Sequence, residues 1–210
     1  MDRSTAAEAI VQAGARLGRR GLIAAGEGNL SYRLDDGFML VTPSGLRKDE
    51  LEPADLVVVD PSGAIAPTRV GLTPTSDLAI HRAVYDARDD VRAVAHAHLP
   101  ASMGLTLAGE RPDASALPET AALLKHVPFV AYGEMGSAEL AGRIAAAFAA
   151  NVAGLPVAVL LERHGAVAVG DDPDAAVDRL ELVEVLCRAW RDALIVRAAR
   201  SLLAHAPPRD

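Results

Sequence analysis

The stretch Val91-Arg92-Ala93-Val94-Ala95-His96-Ala97-His98 decides how the chain is expected to fold and where its chemistry is expected to lie. It is apolar and alternating, which predicts a buried strand over residues 91–98. Because side chains on a strand repeat every two residues, His96 and His98 point to one face, while Ala95 and Ala97 point to the other. The alanines are small enough for close packing. The stretch therefore predicts a central strand that carries two imidazoles on one side.

A third histidine follows a second buried strand, which is predicted over residues 156–161. His164 stands directly before Gly165, where the backbone can turn sharply. Two imidazoles from one strand and a third from the end of another can converge at the distance of about 2.0–2.1 Å that Zn²⁺ takes from nitrogen ligands. Three protein ligands would leave an open position, as in catalytic metal sites. The alternative is three separate hydrogen-bonded histidines.

Outward from this stretch, helical and strand-like patterns alternate along the chain. The order of elements predicts an α/β protein with a central mixed sheet flanked by helices, folded as one domain over residues 1–210. A capping box over 5–8 is predicted to start the first helix. Helices are predicted over 6–20, 76–88, 101–108, 137–150 and 174–203, with a less certain segment at 117–125, and further strands over 30–34, 38–41, 56–59, 127–130 and 166–169.

Composition narrows the classes of partner and compartment. The net charge of −7 argues against nucleic acid as the main partner, because binding to phosphate backbones needs a basic surface. The single cysteine, Cys187, excludes an intrachain disulfide and indicates a reducing compartment. Residues 144–161 carry no formal charge and are just long enough to span a bilayer, but Asn151 and Pro156 interrupt them. With no signal-peptide pattern at the N-terminus, we expect a cytoplasmic protein without a membrane span.

Five short motifs follow one another along the chain: Gly28-Asn29-Leu30-Ser31, Thr42-Pro43-Ser44-Gly45, Thr75-Ser76-Asp77, His96-Ala97-His98 and Arg163-His164-Gly165. In this order and spacing they resemble the class II aldolase/adducin family, whose best-known enzymes are fuculose-phosphate aldolases and ribulose-phosphate 4-epimerases. The resemblance implies a three-layer α/β/α fold and Zn²⁺ held by His96, His98 and His164, with Mn²⁺ or Co²⁺ as alternatives. It also implies C4 homotetramers with active sites at subunit boundaries.

The same resemblance assigns roles to polar residues outside the histidine cluster. It makes Asp77 the acid/base group beside the metal, at a position where the family's aldolases usually have Glu and its epimerases have Asp. The alternative is that Ser76 and Asp77 are ordinary helix caps. A phosphate-binding set is implied at Gly28, Asn29, Ser44, Gly45, Thr75 and Ser76.

Elementary chemistry is consistent with these roles. Zinc polarises a carbonyl and stabilises the enediolate left when a carbon–carbon bond breaks, and a carboxylate beside it can move a proton. Backbone N–H groups in glycine-rich turns and at a helix N-terminus can hold a phosphate dianion. A Schiff-base lysine is the competing aldolase mechanism. Only Lys48 and Lys125 exist, and neither lies in an apolar strand, which disfavours that route.

The chain departs from the sugar-phosphate aldolases at their proton-donating tyrosines. One such position aligns near Leu117, where Glu119 is a candidate substitute or a solvated helix cap, and the tail over 201–210 contains no tyrosine. Tyr132 is predicted to line the site or to pack against it. Three functions therefore remain open: retro-aldol cleavage of a small phosphorylated sugar or sugar acid; the same metal and enolate chemistry ending in epimerisation, dehydration or decarboxylation; and an adducin-like scaffold without catalysis.

Overall fold

A seven-stranded mixed sheet forms the centre of the protein, in a computed structural model that describes residues 1–66, 71–152 and 154–204. The strand order is β3-β2-β1-β4-β7-β6-β5, and every neighbouring pair is antiparallel except β5 and β6, which are parallel. The predicted strand at residues 91–98 is therefore the central one. The strands are β1 (Asn29–Arg33), β2 (Met39–Val41), β3 (Val57–Val59), β4 (Ala93–Ala97), β5 (Phe129–Val130), β6 (Ala158–Leu161) and β7 (Gly165–Gly170).

Helices cover both faces of this sheet, so the predicted three-layer α/β/α fold is confirmed. Apolar side chains of α1, α3 and α6 form one core with the sheet, and those of α2 and α5 form the other. A short helix, α4, packs against α6. The helices are α1 (Arg3–Arg19), α2 (Leu78–Ala87), α3 (Pro100–Leu107), α4 (Pro118–Leu123), α5 (Ala138–Ala149) and α6 (Pro173–Ala204).

The alternation in β4 divides the two layers as the sequence predicts. Ala93, Ala95 and Ala97 lie in the core on the side of α1 and α6, and Val94 lies in the core on the side of α2 and α5. In the antiparallel register with β7, alanines also face alanines, since Ala95 pairs with Ala168 and Ala97 with Ala166. This flat alanine surface allows the long helix α6 to pack close to the sheet. The face that carries His96 is the one covered by α2.

Capping side chains set the starts of two helices, one of which differs from the prediction and one of which matches it. The first helix is capped by Asp2, whose carboxylate accepts a hydrogen bond from the Thr5 N–H at 3.0 Å, so the predicted capping box at 5–8 is wrong. The fifth helix begins as predicted, since the Ser137 hydroxyl accepts from the Leu140 N–H at 3.1 Å. Strand β4 ends at Ala97, one residue before His98.

The uncharged stretch at 144–161 is divided between two elements. Its first part ends α5 at Ala149 and its last part is β6, while Ala153 lies outside the described residues. Within the described part of the chain, no helix combines the length and apolar character needed to cross a bilayer. The single domain over 1–210 stays a prediction.

Candidate metal centre and active site

Three histidines meet at one end of the sheet. His96 lies near the end of β4, His98 follows that strand, and His164 lies in the turn between β6 and β7. Their ring centroids are 4.7 to 5.0 Å apart. One ring nitrogen from each lies within 4.8 Å of the others. The structure thus brings together the three side chains that the sequence predicts as ligands.

Two glycines allow the chain to approach β4 closely enough for this arrangement. Gly165 has a φ of +102°, and a Cβ there would lie 2.1 Å from the Ala97 carbonyl oxygen. Gly28 has a φ of +71°, and a Cβ there would lie 3.0 Å from the His96 carbonyl oxygen. Side chains other than hydrogen are excluded at both places. Hence β7 and β1 can begin directly beside the histidine-bearing end of β4.

A hydrogen bond holds one imidazole in the orientation that a metal ligand needs, and a carboxylate lies close to a second imidazole. The Nδ1–H of His96 donates to the Ala166 carbonyl at 2.9 Å, which leaves Nε2 as the free lone pair. His98 Nδ1 lies 3.3 Å from a carboxylate oxygen of Glu27. Partners on the second ring nitrogen hold metal-ligating histidines in place in this way. The sequence indicated only a turn around Glu27, so the role of its side chain beside His98 was missed.

The nitrogens that face the centre of the cluster are suited to a cation. His96 Nε2 and both ring nitrogens of His164 are buried and have no hydrogen-bond partner among the described residues. Burial is the main cause that lowers the pKa of His96 to about 3, and burial likewise lowers the pKa of His164. Both rings are therefore neutral near pH 7 and can donate lone pairs. Buried polar atoms without partners are costly, and a divalent cation would satisfy His96 Nε2 and one of the two His164 nitrogens.

Asp77 lies beside this cluster and does not act as a cap. It occupies the residue before α2, but its side chain makes no capping hydrogen bond to that helix. Its Oδ2 lies 3.9 Å from His96 Nε2 and accepts a hydrogen bond from the Asn29 side-chain amide at 2.9 Å. Burial alone would raise the pKa of Asp77, but the Asn29 hydrogen bond favours the ionised form and the net pKa is lowered. The side chain is an ionised carboxylate directed at the histidines.

An open pocket with a volume of about 260 Å³ lies next to Asp77 and His98. Two segments form its rim, and backbone hydrogen bonds join them. The Ser44 N–H donates to the Thr73 carbonyl, and the Thr75 N–H donates to the Thr42 carbonyl. The exposed residues Ser44 and Ser76 therefore lie on adjoining segments. All six residues of the predicted phosphate-binding set line this pocket: Gly28, Asn29, Ser44, Gly45, Thr75 and Ser76.

Two members of that set are already engaged by Asp77. The Thr75 hydroxyl accepts from the Asp77 N–H at 3.3 Å, and the Asn29 amide donates to the Asp77 carboxylate. Both residues are buried. Their geometry indicates support of Asp77, whereas the exposed Ser44, Gly45 and Ser76 are better placed to meet a ligand.

Lys48 also lines the pocket, and its buried position was not foreseen. The side chain is 2% exposed, and its ammonium group donates to the carbonyls of Gly26 and Leu46, both at 2.7 Å. These carbonyls belong to the two turns that form one wall of the pocket. Burial lowers the pKa of Lys48. A lysine so enclosed fixes the spacing of the two turns and brings positive charge to the pocket.

Two further candidates, Glu119 and Tyr132, are not among the described residues that line the pocket. Glu119 is exposed in the first turn of α4. Tyr132 is 55% exposed, and the Arg163 guanidinium lies 4.3 Å from the centre of its ring. The structure of one chain thus does not bring Glu119 to the site, and its catalytic role stays a prediction.

The fold and the site define a class of protein: an α/β/α domain with a three-histidine centre able to bind a divalent metal, next to a carboxylate and an open pocket. The sequence profile described as Class II Aldolase and Adducin N-terminal domain matches residues 8–191. The chain belongs to this family.

Named relatives show how several enzymes share the fold. The chain is 35% identical to a 3-oxo-tetronate 4-phosphate decarboxylase of Cupriavidus necator, over 87% of this chain and 82% of that protein. It is 34% identical to a methylthioribulose-1-phosphate dehydratase of Acidiphilium cryptum, over 86% of this chain and 87% of that protein. An L-fuculose-1-phosphate aldolase structure from Thermus thermophilus is 29% identical, with a TM-score of 0.73 and coverage of 96% of this chain and 97% of that chain.

Proposed function

We propose that the protein is a metal-dependent lyase that cleaves a small phosphorylated sugar or sugar acid next to its carbonyl group. The observation that carries this proposal is the group of unpartnered histidine nitrogens facing ionised Asp77 beside an open pocket. A bound divalent cation would supply a Lewis acid for the carbonyl and for the enediolate charge. Zn²⁺ is proposed because an all-nitrogen set suits it, with Mn²⁺ or Co²⁺ as alternatives.

The chain's own residues supply binding and proton transfer. Ser44, Gly45 and Ser76 are proposed to hold the substrate phosphate through hydroxyl and backbone N–H groups, near the positive end of α2. Lys48 adds positive charge from the wall of the same pocket. Asp77 is proposed to take a proton from the substrate and to return it to the reacting carbon, since it is ionised and its Oδ1 has no partner among the described residues. A scaffold without catalysis would have no need of these converging groups.

Retro-aldol cleavage is the first candidate reaction, and decarboxylation of a phosphorylated 3-oxo sugar acid is the second. In retro-aldol cleavage one carboxylate suffices, because ionised Asp77 takes the proton of the hydroxyl that becomes the departing aldehyde and returns it to the enediolate carbon. In decarboxylation the carboxyl group leaves as CO₂ and the carbon must take its proton from water, since ionised Asp77 has none to give. In the described lining of the pocket, the other carboxylate, Glu27, lies against His98, so a single ionised proton-transfer group favours retro-aldol cleavage. The decarboxylase relative from C. necator is what supports the second candidate. Dehydration and epimerisation remain alternatives with the same metal chemistry.

An activity panel tests the proposal and separates these reactions. Metal-loaded protein is incubated with ketose 1-phosphates and with phosphorylated 3-oxo sugar acids, each with and without chelator. Released aldehyde identifies retro-aldol cleavage, released CO₂ identifies decarboxylation, and loss of water without either identifies dehydration. We expect one of these products and its loss in chelator. No turnover across the panel, or full turnover by metal-free protein, would refute the lyase.

A homotetramer in the cytoplasm is proposed on separate grounds. The C-terminal half of α6 exposes large apolar side chains, which indicates a surface that another subunit covers. The single cysteine favours a reducing compartment. Glu119 could then reach a site only across a subunit boundary. Light scattering at micromolar concentration tests the assembly, and a monomer mass would exclude it. The exposed side chains are Ile195, Val196, Leu202 and Leu203.

A further inference from the structure

A row of buried polar side chains lies behind Asp77, between α2 and β1. His81 and Tyr85 follow Asp77 at intervals of one helical turn, so all three share one face of α2. Asn29 and Ser31 lie two residues apart on β1 and share the face of that strand that lies against α2. All five side chains are at least nine-tenths buried. A polar row of this kind in a core needs a complete set of hydrogen bonds.

Four short contacts join these residues into one chain. Tyr85 Oη lies 2.8 Å from Ser31 Oγ, and Ser31 Oγ lies 2.7 Å from His81 Nδ1. His81 Nε2 lies 2.6 Å from Asn29 Oδ1, and the Asn29 amide nitrogen lies 2.9 Å from Asp77 Oδ2. These hydrogen bonds thus link Tyr85, at one end of the row, to the Asp77 carboxylate beside the histidine cluster.

Elementary hydrogen-bond chemistry fixes the direction of this chain, beginning at Asp77. An ionised carboxylate only accepts, so the NH₂ group of Asn29 must face Asp77 and its carbonyl oxygen must face His81. That oxygen also only accepts, so His81 Nε2 must carry the proton. Burial is the main cause that lowers the pKa of His81 to about 4, so the ring is neutral near pH 7 and Nδ1 accepts from the Ser31 hydroxyl. Every bond from Ser31 onward points its proton toward Asp77.

The two carboxylate oxygens of Asp77 are thereby made unequal. Oδ2 holds the Asn29 hydrogen bond, while Oδ1 is buried without a partner among the described residues. If Asn29 turned its amide over, its carbonyl would oppose the carboxylate. The Nε2–H of His81 opposes the same rotation from the other end, because it holds the Asn29 oxygen on the far side.

We propose that His81 is a positioning residue, whose Nε2–H tautomer orients Asn29 and thereby leaves Asp77 Oδ1 as the proton-transferring atom. This inference rests on the proposed role of Asp77 in the lyase reaction. The competing explanation is that the row only ties α2 to β1, in which case the size of residue 81 matters and its hydrogen-bond donor does not. The two explanations differ for substitutions that keep or remove a donor at this position.

The first test reads the tautomer without any substrate. Protein with ¹⁵N-labelled histidine is studied by NMR near pH 7, and the His81 signals are assigned by their loss in His81→Gln. We expect a protonated Nε2 and an unprotonated Nδ1. A protonated Nδ1, or a doubly protonated ring, would overturn the proposal. Tyr85→Phe is the stability control: it removes a buried hydroxyl one turn further from Asp77 and should leave the tautomer of His81 unchanged.

The second test compares two variants of His81 in the metal-loaded protein. His81→Gln keeps an N–H donor for Asn29, whereas His81→Leu fills much of the space without one. We expect His81→Leu to lower kcat about 10- to 100-fold, as for other residues that orient a reacting group. KM and metal content should stay close to wild type, and His81→Gln should keep most of the turnover. Equal losses in both variants, or no loss in His81→Leu, would overturn the proposal.

The two tests keep this inference separate from the proposed function. If the activity panel finds no substrate, the lyase proposal fails while the NMR experiment still decides the direction of the hydrogen bonds. If turnover is found but the tautomer is the opposite one, the lyase stands and the positioning role of His81 fails.

Discussion

Asp77 and His96 face each other across the gap between α2 and β4, with 3.9 Å between the carboxylate Oδ2 and the imidazole Nε2. Asp77 is 6% exposed, and His96 is completely buried. Desolvated charges and lone pairs are costly when they are unpaired. Among the described residues, Asp77 Oδ1 and His96 Nε2 have no hydrogen-bond partner, so stability alone does not explain why they are buried. The pair therefore marks the centre of the candidate site and suggests the first two experiments.

Replacing Asp77 with Asn tests proton transfer at constant shape. The new side chain can still accept from Asn29 through its amide oxygen, so folding and metal content should be kept. Turnover should fall by about 10²- to 10⁴-fold, which is the usual contribution of a positioned acid or base. Measuring kcat and metal content of Asp77→Asn decides this. A kcat close to wild type would mean that the proton-transfer group lies elsewhere, with Glu119 the next candidate.

Removing one imidazole tests the metal centre. Purified wild-type protein should contain about one divalent ion per chain, and His96→Ala should contain far less, because two nitrogens remain from the set of three. Elemental analysis after gel filtration measures this directly. His126→Ala is the matched control, since His126 lies outside the cluster and its loss should leave the metal content unchanged. Undiminished metal in His96→Ala would remove the site as described.

Substituting Lys48 tests the pocket. Lys48→Met removes the charged donor of two part-buried hydrogen bonds to the carbonyls of Gly26 and Leu46, so the melting temperature should fall, at a total cost of about 1–3 kcal/mol. Loss of a charged donor should also weaken binding of inorganic phosphate about tenfold or more. Calorimetry measures both effects.

The adjacent cation provides the control for this experiment. Arg47 belongs to the same turn but is exposed, and its guanidinium pairs with Asp49 and Glu50. Arg47→Met removes the same formal charge from the surface and should change phosphate affinity little. Equal weakening in both variants would indicate a general charge effect and would exclude a specific role for Lys48.

The buried imidazole of His81 predicts how stability depends on pH. Its folded pKa of about 4 lies below the unfolded value of 6.5, so the unfolded chain binds more protons as the pH falls through this window. Stability is therefore full above pH 6.5 and is lost progressively toward pH 4. By pH 5 the loss from this group should be about 2 kcal/mol.

Denaturant unfolding of metal-free protein at pH 7 and pH 5 measures this loss. Wild type should lose more stability between the two pH values than His81→Gln, which has no ring to protonate. The remaining loss in the variant reports His96 and His164, whose pKa values are also lowered by burial. Identical losses in both proteins would show that His81 is not a buried neutral imidazole.

Local patterns were sufficient for the fold and for the histidines. A period of two placed His96 and His98 on one face of a strand, and apolar spacing located the major helices with errors of a few residues at their ends. The resemblance added Asp77 and the pocket-lining residues. The roles of His81 and Lys48 were not predictable in this way, because they depend on how α2 packs on β1 and how two turns approach each other. Asp2 was missed as a cap because Thr5 and Glu8 offer a competing local signal.

His96, His164 and Asp77 are buried, whereas Ser44 and Ser76 on the rim of the pocket are exposed. The consequence is evolutionary. Mutations at exposed positions around the pocket other than these two serines change what fits beside the histidines without disturbing the core that holds them, so they cost little stability. A lineage can thus exchange one sugar phosphate for another while its histidine cluster stays intact. Such separability is consistent with relatives of similar identity that bear the names of a decarboxylase and a dehydratase.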